Sequence, residues 1–216
     1  MGWYNTCMLI DTLLHWLDVM GTVVFAITGL LAASRKQLDL FGAIIIAMVT
    51  AIGGGTLRDL ILDVPVFWLH QPIYIYLVVV SALAMFVYVR FFTAPVRLLL
   101  VLDALGLAAF TIIGVQKSYA LGMDDVIVIM TGIMTGVVGG MIRDILVGEV
   151  PLILRREIYA TASFVGASVW LLLRPLFEDA TLPTLVALLT VVALRLAAIY
   201  RNYSLPIFQP IQRKDP

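Results

Sequence analysis

Of 216 residues, 62% are hydrophobic and only 13% are charged, and 14 basic side chains cancel 14 acidic ones. With a mean hydropathy of +1.05, this is the composition of a polytopic membrane protein, and the length excludes a large soluble domain. The cancelled charge argues against a nucleic-acid partner, and the lone Cys7 excludes an intrachain disulfide, a cysteine zinc site and a CxxC redox motif.

Seven apolar segments are expected, at about residues 13–33, 39–62, 72–92, 97–117, 125–147, 157–174 and 183–201, each near the ~20 residues that a span needs. No Lys or Arg precedes Arg35, so the first segment lacks the basic flank of a signal peptide and reads as a retained helix. Asp18 falls in it, on one stripe with Phe25 and Gly29. Segment two contains Gly53-Gly54-Gly55-Thr56-Leu57-Arg58-Asp59. Glycine lets a backbone leave helical geometry. A break in lipid is tolerated only where the freed groups face protein or water. Segment two is therefore expected to be broken there, opening carbonyls that replace part of a cation's hydration shell; close packing through small residues is the alternative.

Segment four carries Asp103, with Phe110 and Gly114 on its stripe, and segment five repeats the interruption as Gly139-Gly140-Met141-Ile142-Arg143-Asp144. A buried arginine needs a partner. Neighbouring helix positions point about 100° apart, so a cross-pairing of Arg58 with Asp144 and of Arg143 with Asp59 is expected. Arg195 in segment seven is expected to snorkel to the surface. His15 and His70 are placed at the interfaces, and Trp3, Trp16, Trp68 and Trp170 in aromatic belts. The tail after Arg201, with Pro206, Pro210 and Pro216, reads as a short polar or interfacial end.

The segments are related. Asp18, Gly21, Phe25 and Gly29 recur as Asp103, Gly106, Phe110 and Gly114. Asp39, Thr50, Gly54, Gly55, Arg58, Asp59 and Tyr74 recur as Asp124, Thr135, Gly139, Gly140, Arg143, Asp144 and Tyr159. The offset is 85 residues throughout, with a one-residue shift between Pro65 and Pro151. Three spans per copy is an odd number, so the second copy enters the membrane inverted, and segment seven stands outside the symmetry. The fold class expected is an all-α polytopic membrane protein, a single transmembrane domain. Its seven transmembrane helices form inverted three-helix repeats (about residues 12–92 and 97–174) plus one extra helix. Arg35, Lys36, Arg90, Arg97, Arg155, Arg156, Arg201, Arg213 and Lys214 fall on one side, against Lys117, Arg174 and the neutral His70 on the other. That bias puts the C-terminus in the cytoplasm and the N-terminus outside.

The doubled glycine–Arg-Asp motif, with the Val64-Pro65 and Val150-Pro151 that follow, resembles the bacterial branch of the trimeric intracellular cation (TRIC) channels over nearly the whole chain. The resemblance implies seven helices in inverted repeats plus one. It also implies a homotrimer in the bacterial inner membrane, with a monovalent-cation pore inside each subunit lined by the second and fifth helices. Carried across, the pore-lining residues are Gly53, Gly54, Gly55, Arg58, Asp59, Gly139, Gly140, Arg143 and Asp144, and Asp103 joins them as a compensating carboxylate. Animal members carry a Lys-Glu-Val motif that engages phosphoinositide; this chain has the glycine-arginine-aspartate version instead. Potassium or another monovalent cation and membrane lipids are the expected partners, with no cofactor. Neither a GxSxG elbow, an HExxH helix nor a P-loop is present, so an enzyme is not expected. A secondary transporter for a small amino acid such as glycine is the competing reading, and a scaffold in a larger complex a third.

Overall fold

The computed structural model describes residues 2–36, 38–93, 95–155 and 158–201, with side chains from residue 10 onward. The side chains of Trp3 and Cys7, and Arg156, Arg213, Lys214 and the tail prolines, lie outside the described residues. Eight α-helices follow in order: α1 Gly2–Ser34, α2 Leu40–Ile61, α3 Phe67–His70, α4 Ile73–Phe91, α5 Val96–Ala120, α6 Asp125–Leu146, α7 Ala160–Leu173 and α8 Thr181–Arg201. Six of them are long and apolar enough to cross a membrane, α1 from Ile10 onward. The helix at the sixth predicted segment, α7, is shorter, because Pro175 removes a donor and only a 3₁₀ turn, Arg174–Leu176, carries it on.

The first copy comprises α1, α2 and α4, the second α5, α6 and α7, and α8 packs on α5 and α7. Their symmetry is visible in reciprocal contacts. Gly21 faces the Phe110 ring and Gly106 the Phe25 ring, and the two rings meet edge to face at 5.2 Å. Within the copies, Gly29 lies on Ala47 and Thr50 of α2, as Gly114 lies on Thr131 and Thr135 of α6.

Contrary to the sequence expectation, neither α2 nor α6 is broken: both are continuous helices through Gly53–Gly55 and Gly139–Gly140. The glycines serve approach instead. A Cβ on Gly54 would overlap the Thr135 carbonyl oxygen, and one on Gly139 would overlap the Thr50 carbonyl oxygen. Each helix keeps its own backbone hydrogen bonds, which an apolar surrounding demands, and spends the absent side chain on contact.

Both helices end alike. Val64 N–H donates to the Asp59 carbonyl (3.0 Å) and Glu149 N–H to the Asp144 carbonyl (2.8 Å), the six-residue closure of a Schellman motif. Its left-handed position is Asp63 (φ 52°) in one copy and Gly148 (φ 70°) in the other. Aspartate is among the few side chains that tolerate it.

Two further expectations give way to the packing of α8. Trp170 is 1% exposed and donates from Nε1 to Thr184 Oγ1, so it is a core residue rather than part of a belt. Arg195 does not snorkel: it is fully buried, donates from Nη1 to the Ile158 carbonyl (3.0 Å) and lies over the Tyr159 ring at 4.7 Å.

Adjacent glycines therefore differ sharply. Gly54→Ala and Gly139→Ala are each expected to destabilise by about 1–3 kcal/mol, because the helices must part. Gly53→Ala, whose new methyl meets Ile142 Cδ1 at 3.6 Å and Val49 Cγ1 at 3.8 Å, both ordinary contacts, is expected to be neutral or slightly stabilising. Thermal melts followed by size-exclusion chromatography read the difference.

Candidate functional site

The Arg-Asp pairs sit four and five residues beyond the crossing glycines Gly54 and Gly139, roughly 6–7.5 Å along each helix at ~1.5 Å per residue. Because α2 and α6 run in opposite senses, the two pairs separate toward opposite ends of the bundle. That distance is why the cross-pairing of Arg58 with Asp144 and Arg143 with Asp59 does not form. Each arginine instead curls its long stem back onto its own neighbour. Arg58 Nε donates to Asp59 Oδ1 at 2.7 Å, and Arg143 Nε to Asp144 Oδ1 at 2.9 Å. The second carboxylate oxygens accept the amides of Phe67 and Leu152, both at 3.0 Å. Each aspartate therefore neutralises a buried arginine and fixes the loop that leaves the helix, eight residues on. The equal spacing of Asp59 to Phe67 and Asp144 to Leu152 was the available signal for this role, which the sequence reading missed.

In the second copy, Arg143 also donates from Nη1 to Asp103 Oδ1 (2.8 Å) and to Thr28 Oγ1 (3.0 Å), joining α6 to α5 and α1. Arg143 and Asp103 are both fully buried. Gly140 leaves the room for this cluster: its missing Cβ would stand 3.1 Å from Tyr159 Oη and 3.3 Å from Asp103 Oδ1. Arg143 Nη2, Asp103 Oδ2 and Tyr159 Oη make no hydrogen bond within the described residues. A narrow cavity of about 150 Å³ reaches Arg143 and Asp144, with Arg35, Lys36 and Arg155 around its mouth. There Lys36 pairs with Glu149 at 2.7 Å and holds that exposed carboxylate below its usual pKa.

The first copy is arranged differently. Asp18, the counterpart of Asp103, accepts from Tyr74 Oη at 2.5 Å rather than from an arginine. Arg58 lies over the Phe67 ring, 5.9 Å from its centre, and Gly55 is pressed against that ring. Asp59 takes a second cation, Lys117, whose Nζ stands 2.7 Å from Oδ1. A cavity of about 630 Å³ opens here, lined among others by His15, Asp18, Tyr74, Gln116, Lys117 and Arg174.

The structure thus brings Asp103, Gly140, Arg143 and Asp144 into one cluster and Gly55, Arg58 and Asp59 into another. Gly54 and Gly139 lie at the crossing between them, and Gly53 lies to one side, against Ile142. Sequence reasoning did not place Lys117, Tyr74, Tyr159, Thr28 or Arg195 in this network. The two tyrosines were visible in the 85-residue alignment, whereas Lys117 and Arg195 have no repeat partner to mark them.

Fold and site together define a polytopic membrane protein of inverted three-helix repeats, crossed at paired glycines and charged inside. The sequence model of a family described as glycine transporter matches residues 15–90 and again 100–175, two matches offset by the same 85 residues. The inner membrane protein YadS of Escherichia coli K12, assigned to UPF0126, is 43% identical over 205 residues, covering 91% of this chain and 96% of YadS. The TRIC trimeric intracellular cation channel orthologue from Rhodobacter sphaeroides superposes with a TM-score of 0.85 at 37% identity, over 89% of this chain and 100% of that one. A second TRIC cation channel structure gives 0.83 at 35%, over 92% and 98%. The chain belongs to the bacterial branch of the TRIC family, as a multi-pass protein of the bacterial inner membrane.

Removing one member of a buried ion pair costs about 3–5 kcal/mol, whereas replacing both with apolar groups is often neutral. Asp103→Leu is expected to lower stability by about that amount, Arg143→Met by more because it strands both Asp103 and Asp144, and the double variant to recover only the share of Asp103. A double-mutant cycle of unfolding midpoints in detergent reads the coupling.

Proposed function

We propose that this protein is a monovalent-cation channel, with potassium as the principal ion and a separate pathway in each subunit of a homotrimer. The path runs from the wide cavity at Asp18 past Lys117, Asp59 and Arg58. It then follows the glycine crossing at Gly53–Gly55 and Gly139–Gly140 to Asp103, Arg143 and Asp144, and ends in the narrow cavity. The observation that carries this reading is the set of buried charges, with Arg143 Nη2, Asp103 Oδ2 and Tyr159 Oη making no hydrogen bond among the described residues, between two cavities at opposite ends of an apolar bundle. Polar groups are costly at such depth unless they serve a route or a fixed partner. Because the helices stay continuous, side-chain carboxylates and hydroxyls, rather than opened carbonyls, solvate the ion.

The solved neighbours are described as trimeric intracellular cation channels and as conducting ones, which supports both the activity and the trimer. The narrow-cavity end gathers Arg35, Lys36, Arg90, Arg97, Arg155 and Arg201, so it faces the cytoplasm, with the C-terminus there and the N-terminus outside. Anionic lipids of that leaflet meet this basic end.

A secondary transporter for a small amino acid is the second reading. It is favoured by the glycine transporter description of the matching family and by a wide cavity whose Asp11 and Asp18 are balanced by Lys117 and Arg174, suited to a zwitterion.

Reconstitution into planar bilayers separates the two. The channel is expected to show unitary currents whose reversal potential follows the K⁺ gradient and not the Cl⁻ gradient. Saturable glycine uptake without unitary currents would instead establish the carrier.

A further inference from the structure

We propose that Phe25 and Phe110 form an aromatic seal at the centre of the bundle, which closes the cation pathway by excluding water. The proposal rests on the cation-pathway reading above. Its first support is position. Gly21 faces the Phe110 ring and Gly106 the Phe25 ring, so α1 and α5 run antiparallel where they touch. The two rings meet edge to face between the copies, 5.2 Å apart. Asp18 and Asp103 each stand seven residues before their ring, nearly two whole turns on one helix face and roughly 10 Å of rise. Because the helices oppose, the carboxylates lie on opposite sides of the ring pair, each on the stripe of its own ring. A cation passing from one carboxylate to the other meets the rings on the way.

The second support is what the rings fill. Phe25 is 1% exposed and Phe110 4%. The Phe25 ring takes the room left by the missing side chain of Gly106, and its Cδ2 stands 3.5 Å from the place of a Cβ on Gly139. One ring therefore plugs the contact of α1 with α5 and also borders the crossing of α2 with α6.

The third support is the polarity on either flank. Thr22, one turn from Phe25 toward Asp18, is fully buried, and its Oγ1 makes no hydrogen bond among the described residues. Thr28, about one turn to the other side, accepts from Arg143 Nη1 at 3.0 Å. In the same cluster Asp103 Oδ2, Arg143 Nη2 and Tyr159 Oη are without hydrogen bonds among the described residues. Polar atoms with unspent capacity thus stand on both sides of an apolar ring pair. That is the pattern of a hydrophobic constriction, which gates by dewetting rather than by charge. Parting of the rings joins the two polar flanks and admits the ion with its water.

The test is open probability in planar bilayers at fixed K⁺, compared between Asn and Leu at each ring position. The two side chains share one branched shape and differ in polarity, so they separate sealing from packing. Phe25→Asn and Phe110→Asn are each expected to exceed the matching Leu variant about tenfold, as ~1.4 kcal/mol of relieved dewetting gives. Phe110→Cys in a Cys7→Ser background repeats the comparison on protein that has already folded. There a hydroxyethyl methanethiosulfonate adduct is expected to raise open probability and its propyl counterpart is not, and these adducts decide where an Asn variant misfolds. Equal open probability for Asn and Leu, equal effects of the two adducts, or a thiol that neither reagent reaches in the conducting protein overturns the seal and leaves the pathway intact. If wild type, the Asn variants and the hydroxyethyl adduct all pass no K⁺, the pathway reading fails and this proposal with it.

Discussion

The contact on which the rest of this fold depends is the crossing of α2 and α6, where Gly54 lies on the Thr135 carbonyl and Gly139 on the Thr50 carbonyl. In lipid there is little hydrophobic drive to bring two apolar helices together, so close packing and polar contact must do it. Two absent Cβ atoms allow it, and the reciprocity of the contact makes the inverted symmetry exact where it matters most. The crossing also fixes everything placed at a set distance along either helix. Arg58 and Asp59 are carried toward one end and Arg143 and Asp144 toward the other, so each half must satisfy its own buried charge.

Each half does so with the same device. A carboxylate next in sequence to the arginine neutralises it and also captures a loop amide eight residues later. Buried charge is thereby converted into loop order. A fully buried arginine would be destabilising unless paired and hydrogen-bonded. Here the pairing also determines where α3 begins in one copy and where the 3₁₀ turn Leu152–Leu154 begins in the other. The doubled motif is thus structural before it is anything else, and any conduction must pass through a scaffold that already uses these side chains.

Much of this was legible in the sequence, for physical reasons. Long apolar runs declare spans, and an 85-residue offset preserved across Asp18, Phe25, Gly54 and Arg58 declares a repeat whose odd helix count inverts it. What was not legible depended on contacts between segments. Glycine pairs are compatible both with a break and with a close approach, and only the partner's carbonyl position decides between them. Adjacent Arg and Asp diverge on a helical wheel, but a wheel ignores the reach of the arginine stem. Trp170 and Arg195 read as interfacial from their positions in the segments, yet α8 docking on α5 and α7 encloses both. Lys117 carried no motif and no repeat mate, so it registered only as one charge on the less basic side.

The inverted copies share a plan but not a state, and the difference falls on those unmatched residues. Around Tyr159, Arg143 and Arg195 balance Asp103 and Asp144, all of them buried. Around Tyr74, Arg58 and Lys117 balance Asp18 and Asp59, and of these four Asp18 and Lys117 line a wide cavity. Two against two is reached in both, but each half takes its second cation from a position that the symmetry does not dictate. In the closed half that cation comes from α8 and is locked over an aromatic ring; in the open half it comes from the end of α5 on a stem that water can reach. A buried charge that is compensated by a fixed partner stabilises one arrangement only, whereas compensation by a movable one leaves a second arrangement within reach. The halves therefore share a charge balance but not its mobility, one fixing its second cation over an aromatic ring and the other holding it on a stem that solvent reaches.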